Sequence, residues 1–418
     1  MASKRKALAF LIPAFVGIVL SASTAFSSGY QLNEHGAQGV SMGGAFVARA
    51  WDPSAIYFNP AGLSFIKGFN VMLGGTLILP STTFTGPYPD NTETKMNSLS
   101  FFPPNAYVTY NFDNGLAAGI GVFTPEGLGT SWPQDWVGRF IITKINLQSF
   151  DINPTVSYSL NDMVSFGVGF DYALGTVELE KYNQTPFSDS LGNPITPFLH
   201  MQGDAKGIGY NFGIMLKPYE NISLGFSYRS KINYKVDNGT ATFSQDGSLA
   251  GELPGGAVST ALPFPTTWYA GIAYTGDNFS IEADYQYVGW SAYDSLTINF
   301  ASKTELQQNS SIVGNYNNTY IFRVGGEYNL NAMWTLRAGV YYDKNPIPDA
   351  YEAPLLPDAD RLGFNVGAGV KVTNNISIDA SYLFIPFKQR TITNSAFGFN
   401  GTYNTTANLL GIDISYKL

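Results

Sequence analysis

At 418 residues the chain is too long for one ordinary soluble core, and only 13% of it is charged, with a formal balance of −8. A soluble domain usually carries about a quarter charged residues, and an acidic chain is no electrostatic partner for nucleic acid. The absence of cysteine rules out a disulfide framework, so an exported chain of this composition needs another staple, such as a closed hydrogen-bonded sheet. With 30 Phe, 26 Tyr and 44 Gly the composition favours a β protein over a helical one.

Taken in chain order, the first element is a secretory leader. Lys4, Arg5 and Lys6 precede an apolar run from Leu8 to Leu20, and small residues follow. With Ala25 and Ser27 at −3 and −1, cleavage falls before Ser28; cleavage before Phe26 is the alternative. Residues 1–27 are therefore set aside as a signal peptide, and their loss takes the balance to about −11. No later stretch is long and apolar enough for a transmembrane helix.

Residues 28–68 follow no regular period. They end in WDPSAIYFNPAGLSF, from Trp51 to Phe65, which is aromatic and broken by Pro53 and Pro60. It does not alternate like a strand and is too broken for a helix.

From residue 69 onward a period of two takes over. Phe279, Ile281, Ala283, Tyr285 and Tyr287 alternate with Ser280, Glu282, Asp284 and Gln286. Val164 to Tyr172, Ile222 to Arg229 and Ile376 to Phe384 repeat the scheme. One face is apolar and the other polar or small. Fourteen such segments are predicted, at 69–80, 102–112, 115–124, 139–158, 163–181, 206–218, 221–236, 266–275, 279–298, 320–330, 333–344, 360–373, 375–392 and 407–418.

A soluble sandwich alternates too, so three further features decide. The apolar faces end in aromatics, the inward positions are small or polar, and the connections alternate in length. Short turns fall at Asp113-Asn114, Asn161-Asp162, Pro218 to Glu220, Gly276 to Asn278, Leu330 to Ala332 and Asn374. Together these predict an all-β fold: a 14-stranded antiparallel transmembrane β-barrel, residues 69–418, in a bacterial outer membrane, with short periplasmic turns and long outer loops. Its last strand, from Leu410 to Leu418, closes the sheet on the C-terminus. A lumen this wide stays open or holds a plug, and residues 28–68 are expected to form an N-terminal hatch inside it.

Six motifs in order resemble one family. They are Gly29-Tyr-Gln-Leu-Asn-Glu34, Asn59-Pro60-Ala61, Gly127-Leu-Gly-Thr-Ser-Trp-Pro133, Tyr228-Arg-Ser230, Trp290 to Leu296 and Pro357 to Arg361. The mature chain is similar throughout to the FadL/TodX (OmpP1) family of outer-membrane transporters for long-chain fatty acids and other hydrophobic compounds. The resemblance implies a monomer with a hatch, an outer hydrophobic groove, a deeper pocket, and a kinked third strand that lets substrate leave sideways into the membrane. It makes Gly29, Tyr30, Gln31, Asn59, Pro60 and Ala61 the gating residues.

The residues support this reading in their own right. Pro125 has no N–H for a ladder, and Gly127 tolerates a kink, so Pro125, Glu126 and Gly127 are the expected lateral opening. The bland alternative is that the strand ends at Thr124. Phe187, Phe198, Leu199, Leu262 and Phe264 sit in predicted outer loops, where exposed apolar side chains mark a binding surface. The resemblance also makes Tyr30 the boundary of the inner pocket. Lys181 aligns with a family arginine that meets the ligand carboxylate, but as a point charge without the bidentate fork.

Other functions have thin support. His35 and His200 are the only histidines, and neither suggests a catalytic triad, so no enzyme is expected. No cofactor is implied, and no His/Asp/Glu cluster shows metal-ligand spacing, Asp358-Ala-Asp360 included. The expected partners are a fatty acid or aromatic hydrocarbon, outer-membrane lipid and the barrel-assembly machinery. For the latter the chain offers Leu418 and Tyr416 rather than the usual terminal Phe or Trp. A general diffusion porin and a structural barrel remain the alternatives.

Overall fold

The computed structural model describes residues 28–418 apart from residue 88 and residues 245–248, so the predicted leader lies outside the described residues. The wall consists of β1 (Phe69–Thr85), β2 (Pro104–Asn111), β3 (Leu116–Phe123, resuming as Gly127–Ser131), β4 (Lys144–Asn161) and β5 (Val164–Tyr182). It continues through β6 (Phe198–Tyr219), β7 (Ile222–Arg229 and Ile232–Ser244), β8 (Gly256–Phe264 and Thr267–Thr275) and β9 (Phe279–Val288 and Ser295–Phe300). The circuit ends with β10 (Thr319–Asn329), β11 (Trp334–Asp343), β12 (Arg361–Lys371), β13 (Ile376–Pro386 and Arg390–Ile392) and β14 (Gly401–Lys417). Neighbours in sequence pair antiparallel, and β14 returns to β1 in unbroken register from Asn70↔Lys417 to Thr85↔Thr402. The sheet therefore has no free edge, which is what lipid requires.

Local chemistry sets the short turns. The Asn161 side-chain oxygen accepts from the backbone N–H groups of Met163 (2.8 Å) and Val164 (3.0 Å). Asn331 does the same for Met333 and Trp334. Outward positions carry the apolar face: Phe166, Val168 and Phe170 on β5, and Leu410, Ile412 and Ile414 on β14, are all exposed. Toward the long-loop end, direct cross-strand register lines up Phe212, Tyr228, Trp268, Tyr287 and Tyr320 in one row. At the short-turn end Tyr110 pairs with Phe112 and Tyr274 with Phe279. Two aromatic girdles thus bound an apolar belt.

Several strands run further out than their alternation suggests. β6 begins at Phe198 rather than near 206, and β8 has an outer half, Gly256–Phe264, in a stretch read from the sequence as loop. Pro197 and Pro263 look like breakers. Yet Pro263 sits within β8 opposite Asn233 and merely lacks a ladder donor.

Residues 28–68 lie within the ring of strands. They form helices α1 (Ala37–Ser41) and α2 (Ala55–Phe58) and a 3₁₀ turn, Pro60–Phe65, joined by irregular chain. Such a chain leaves many backbone groups without helical or sheet partners, and inward polar side chains of the wall satisfy them. Asp284 Oδ2 accepts from the N–H of Phe46 (2.9 Å) and Val47 (3.1 Å), and Glu282 from Ala48 (2.6 Å). Asn365 donates to Val40 (2.6 Å), Asn211 to Ile56 (3.1 Å), and Ser157 and Ser165 to Ala61 (3.1 and 2.9 Å). Asp413, on the last strand, accepts from Ala37 N–H. Inward glycines supply the room: a Cβ on Gly325 or Gly339 would overlap the Met42 backbone.

The Trp51 to Phe65 stretch is the most tightly tied part. Asp52 caps Ser54 (2.7 Å), and Arg49 stacks its guanidinium 3.9 Å over the Trp51 ring while meeting Glu327 at 2.7 Å. Asn59 is fully buried. It donates to the carbonyls of Val47 (2.8 Å) and Ile214 (3.1 Å) and accepts from Ala61 N–H (3.1 Å). Asn59→Ala strips all three bonds at once. With about 1–3 kcal/mol for each buried group left unpaired, the segment is expected to loosen by several kcal/mol. Limited proteolysis should then cut between residues 45 and 65 while the barrel keeps its sheet circular-dichroism signal.

Candidate functional site

The third strand breaks in the middle of the wall. Phe123 faces Asp151, whereas Gly127 faces Gln148, so Thr124, Pro125 and Glu126 oppose only Ser149 and Phe150. One extra residue in the strand is a bulge, and Pro125 cannot donate across it. Pairing of β3 with β2 stops at Ala106↔Val122, and Gly127–Ser131 pairs in the wall only with β4.

The start of the N-terminal segment fills this break. Leu32 N–H donates to Pro125 O (2.8 Å), Gly127 N–H donates to Tyr30 O (2.9 Å), and Gln31 bridges Glu126. Tyr30 to Leu32 thus behave as a short added strand. Ser149 completes the repair, accepting from Glu126 N–H (3.0 Å) and donating to its carbonyl (2.8 Å). The buried Glu126 carboxylate takes a hydrogen bond from Tyr234, whose hydroxyl is also 3.1 Å from Asp151.

A second set of contacts fixes the other end of this latch. Gly29 N–H donates to Asp358 (2.9 Å) and Ser28 N–H to Asp343 (3.3 Å), while Arg361 bridges both carboxylates at 3.3 and 3.0 Å. Burial pushes the Asp358 carboxyl up to about 6 against the pull of Arg361, which leaves it mostly ionised at neutral pH. Gly29 has φ +64°, and a Cβ there would overlap the Trp290 ring. The Tyr30 ring lies edge-on to Trp290 (4.8 Å between centroids) and near Tyr293 (5.8 Å) and Phe264 (6.2 Å). Its hydroxyl donates to Pro263 O.

Further out lies a cavity of about 500 Å³. Leu179, Leu199, Met201, Phe243, Ile298 and Phe300 line it from the wall, and Leu355 and Phe397 from the loops. Lys181 reaches the same space, and among the described residues no carboxylate pairs with it. A narrow cleft of about 20 Å³ shares Ala353, Leu355 and Phe397 with this cavity and runs to Tyr293 and Tyr316. Both rings are near the Tyr30 cluster, with Tyr316 6.0 Å from Trp290.

The residues singled out from the sequence separate into groups. Leu199 and Lys181 line the cavity. Phe264 lies deeper, against Tyr30 and Trp290, and half-buried Leu262 packs beside it in β8 opposite Tyr234. Phe187 is exposed on the loop after β5, and Phe198 lies edge-on to Tyr182. Neither lines the cavity. Phe198 has the outward parity of His200 and Gln202 because its strand begins earlier than expected. Nothing in the sequence marks Trp290, Tyr293 and Tyr316 as site residues, although Trp290 and Tyr293 stand inside the Trp290 to Leu296 motif.

Glu178, Glu180 and His200 do bring ligand atoms within 4.8 Å of one another. The β5–β6 pairing Glu180↔His200 hides this cluster from sequence spacing, and Lys144 already places its ammonium 2.8 Å from Glu178. His35 is buried and stacked on Tyr57 at 3.4 Å, with Nε2 2.9 Å from Leu32 O, an arrangement that packs the segment.

Gly29→Ala is expected to push the latch off Trp290. In hydrogen–deuterium exchange, peptides covering 28–36 and 124–130 should then exchange at least about tenfold faster, while peptides from β12 and β14 stay unchanged.

The comparisons with known proteins agree with this architecture. The family described as "Outer membrane protein transport protein (OMPP1/FadL/TodX)" matches residues 18–418. The long-chain fatty acid transport protein of Escherichia coli O6:H1 is 26% identical over 404 residues, covering 88% of this chain and 89% of that protein. The 47 kDa outer membrane protein of Pasteurella multocida is 26% identical over the full length of both. A Pseudomonas aeruginosa FadL homologue superposes with a TM-score of 0.80 at 22% identity, covering 93% of this chain and 99% of that one. The P. putida toluene transporter TodX superposes with a TM-score of 0.73 at 18% identity and the same coverage; these two likenesses bear on the fold alone. From its match over nearly the whole length, the chain belongs to the OMPP1/FadL/TodX family of outer-membrane transport proteins.

Proposed function

We propose that this chain carries hydrophobic molecules passively across the outer membrane by a route that ends in the wall rather than in the periplasm. Residues 28–68 act as the hatch. Ligand leaves water for the apolar side of the outer cavity, around Leu199 and Phe300, passes the Tyr293–Tyr316 constriction, and reaches the pocket closed by Tyr30. Displacement of Gly29, Tyr30 and Gln31 then removes the added strand at Pro125 to Gly127, and ligand exits sideways into lipid. Transfer of apolar surface out of water drives the uptake, so no energy source is required. The observation that carries this reading is the pairing of Tyr30–Leu32 with the broken third strand: one short segment closes both the inner pocket and the wall.

The ligand class follows from Lys181. An ammonium beside Leu179, Leu199 and Met201, in a cavity whose other polar lining is neutral (Asn183, Gln307, Ser310), and without a carboxylate partner, suits a long-chain fatty acid, which is the cargo named for the Escherichia coli relative. An aromatic hydrocarbon, the cargo class named for TodX, gains nothing from it. The chain is expected to work as a monomer and to be inserted by the barrel-assembly machinery through β14, with Tyr416 and Leu418 as its terminal signal.

Uptake in cells lacking their own transporter tests the route. Gly127→Val should cut uptake severely while the barrel still assembles; normal uptake by that variant would exclude lateral exit. Deleting residues 30–66 should raise single-channel conductance in planar bilayers, whereas a large steady conductance of the intact protein would mark a diffusion porin instead. Lys181→Met should weaken binding of a long-chain carboxylate about ten- to a hundredfold, the size of a lost charge-assisted hydrogen bond. It should leave an uncharged hydrocarbon of equal length within about twofold.

A further inference from the structure

We infer that two outward lysines, Lys206 on β6 and Lys235 on β7, form a docking site for the phosphate groups of an outer-leaflet lipid, with Lys231, in the break of β7, below them at the level of Tyr210. Register places Lys206 directly opposite Lys235. Lys231 and Lys235 share the outer side of β7, since Ile232, Tyr234 and Val236 between and beside them point inward and are buried. All three lysines are exposed.

Like charges directly opposite each other on one sheet face destabilise the pair. Among the described residues no carboxylate forms an ion pair with any of the three, whereas Lys144 and Lys344, also at the outer end of the wall, hold Glu178 and Asp360 at 2.8 and 2.9 Å. The lysine pair is thus an unbalanced feature that an anion from outside would relieve.

Depth identifies the anion. Outward along β6 the lipid-side residues are Leu216, Ile214, Phe212, Tyr210 and Ile208, and the next is Lys206. Tyr210 and Tyr228, 6.0 Å apart, mark the girdle. Lys206 stands four residues beyond Tyr210, roughly 10 Å along a tilted strand, which is headgroup depth. Its neighbour on β5 is Leu174, so apolar wall continues up to the lysine row. One step further out come Asp204 and Asp237, which bound the basic row on its water side. A broad polyanion would meet those acids. A lipid phosphate held at one depth, with acyl chains along Ile208 and Leu174, meets Lys206 and Lys235. Each ammonium offers three donors to phosphate oxygens.

The test uses the full purified barrel in detergent, as wild type, Lys206→Gln/Lys235→Gln and Lys206→Arg/Lys235→Arg. Native mass spectrometry should show diphosphoryl lipid A retained by wild type and the Arg pair, and retained at least about tenfold less by the Gln pair. Millimolar inorganic phosphate should not displace it. Without lipid, the Gln pair should unfold at the same temperature as wild type or higher, because a repulsion has been removed; with lipid that order should reverse. Equal lipid retention by the Gln pair would overturn the assignment. So would equal binding of a fully dephosphorylated analogue, or displacement by inorganic phosphate, which would make this a site for free phosphate instead.

Discussion

The structure depends on one constraint: an irregular chain enclosed by a barrel must find a hydrogen-bond partner for nearly every backbone group. Residues 28–68 contain little helix, and Asp284, Glu282, Asn365, Asn211, Ser157 and Ser165 of the wall bond backbone groups of Phe46 to Ala48, Val40, Ile56 and Ala61. The same need explains the polar inner face of the strands. An inward Asp or Glu would be a burden in an empty apolar core; here it terminates another segment's backbone. The inward glycines are the steric half of that arrangement, since the two backbones come too close for side chains at Gly325 and Gly339.

The broken third strand shows the constraint at its sharpest. The bulge at Thr124 to Glu126 takes residues out of the ladder, and the wall repairs the loss from two sides. Ser149 bonds both backbone groups of Glu126, while Tyr30 and Leu32 bond Gly127 and Pro125. The first repair is made by the wall itself. The second is made by the most N-terminal described residues, which Gly29 can bring close to Trp290 only because it has no side chain. On the proposed route this division matters, because the second repair can be withdrawn without disturbing the first.

The barrel was largely legible in the sequence, and the reason is physical. An apolar belt on one side and polar contacts on the other impose period two on every strand, so Phe279 to Tyr287 or Ile376 to Phe384 betray themselves. Beyond the belt that pressure lapses. Phe198 to Met201 and Ala261 to Phe264 are strands in mixed surroundings, and Pro197 and Pro263 made them look like loop. Misplacing them hid the parity that sends Phe198 outward and Leu199 inward. The aromatic cluster of Tyr30, Trp290, Tyr293 and Tyr316 was hidden differently. Tyr30 is more than 250 residues from the other three in sequence and meets them only because residues 28–68 lie inside the wall. The break at Pro125 to Gly127 was visible as a break, but nothing local says which distant segment is paired with it.

That long-range bonding also orders events in time. Ala37 is bonded to Asp413 on β14, and β14 must meet β1 for the sheet to close. The first described segment therefore cannot complete its bonds until the last strand has emerged and paired. Contacts this distant in sequence carry a large loop-closure cost and form late. During biogenesis the inward carboxylates of a half-built wall would face water or chaperones with no N-terminal segment to bond. Closure of the barrel and seating of its contents then become one cooperative step, so a chain that fails at its last strand also fails at residues 28–68.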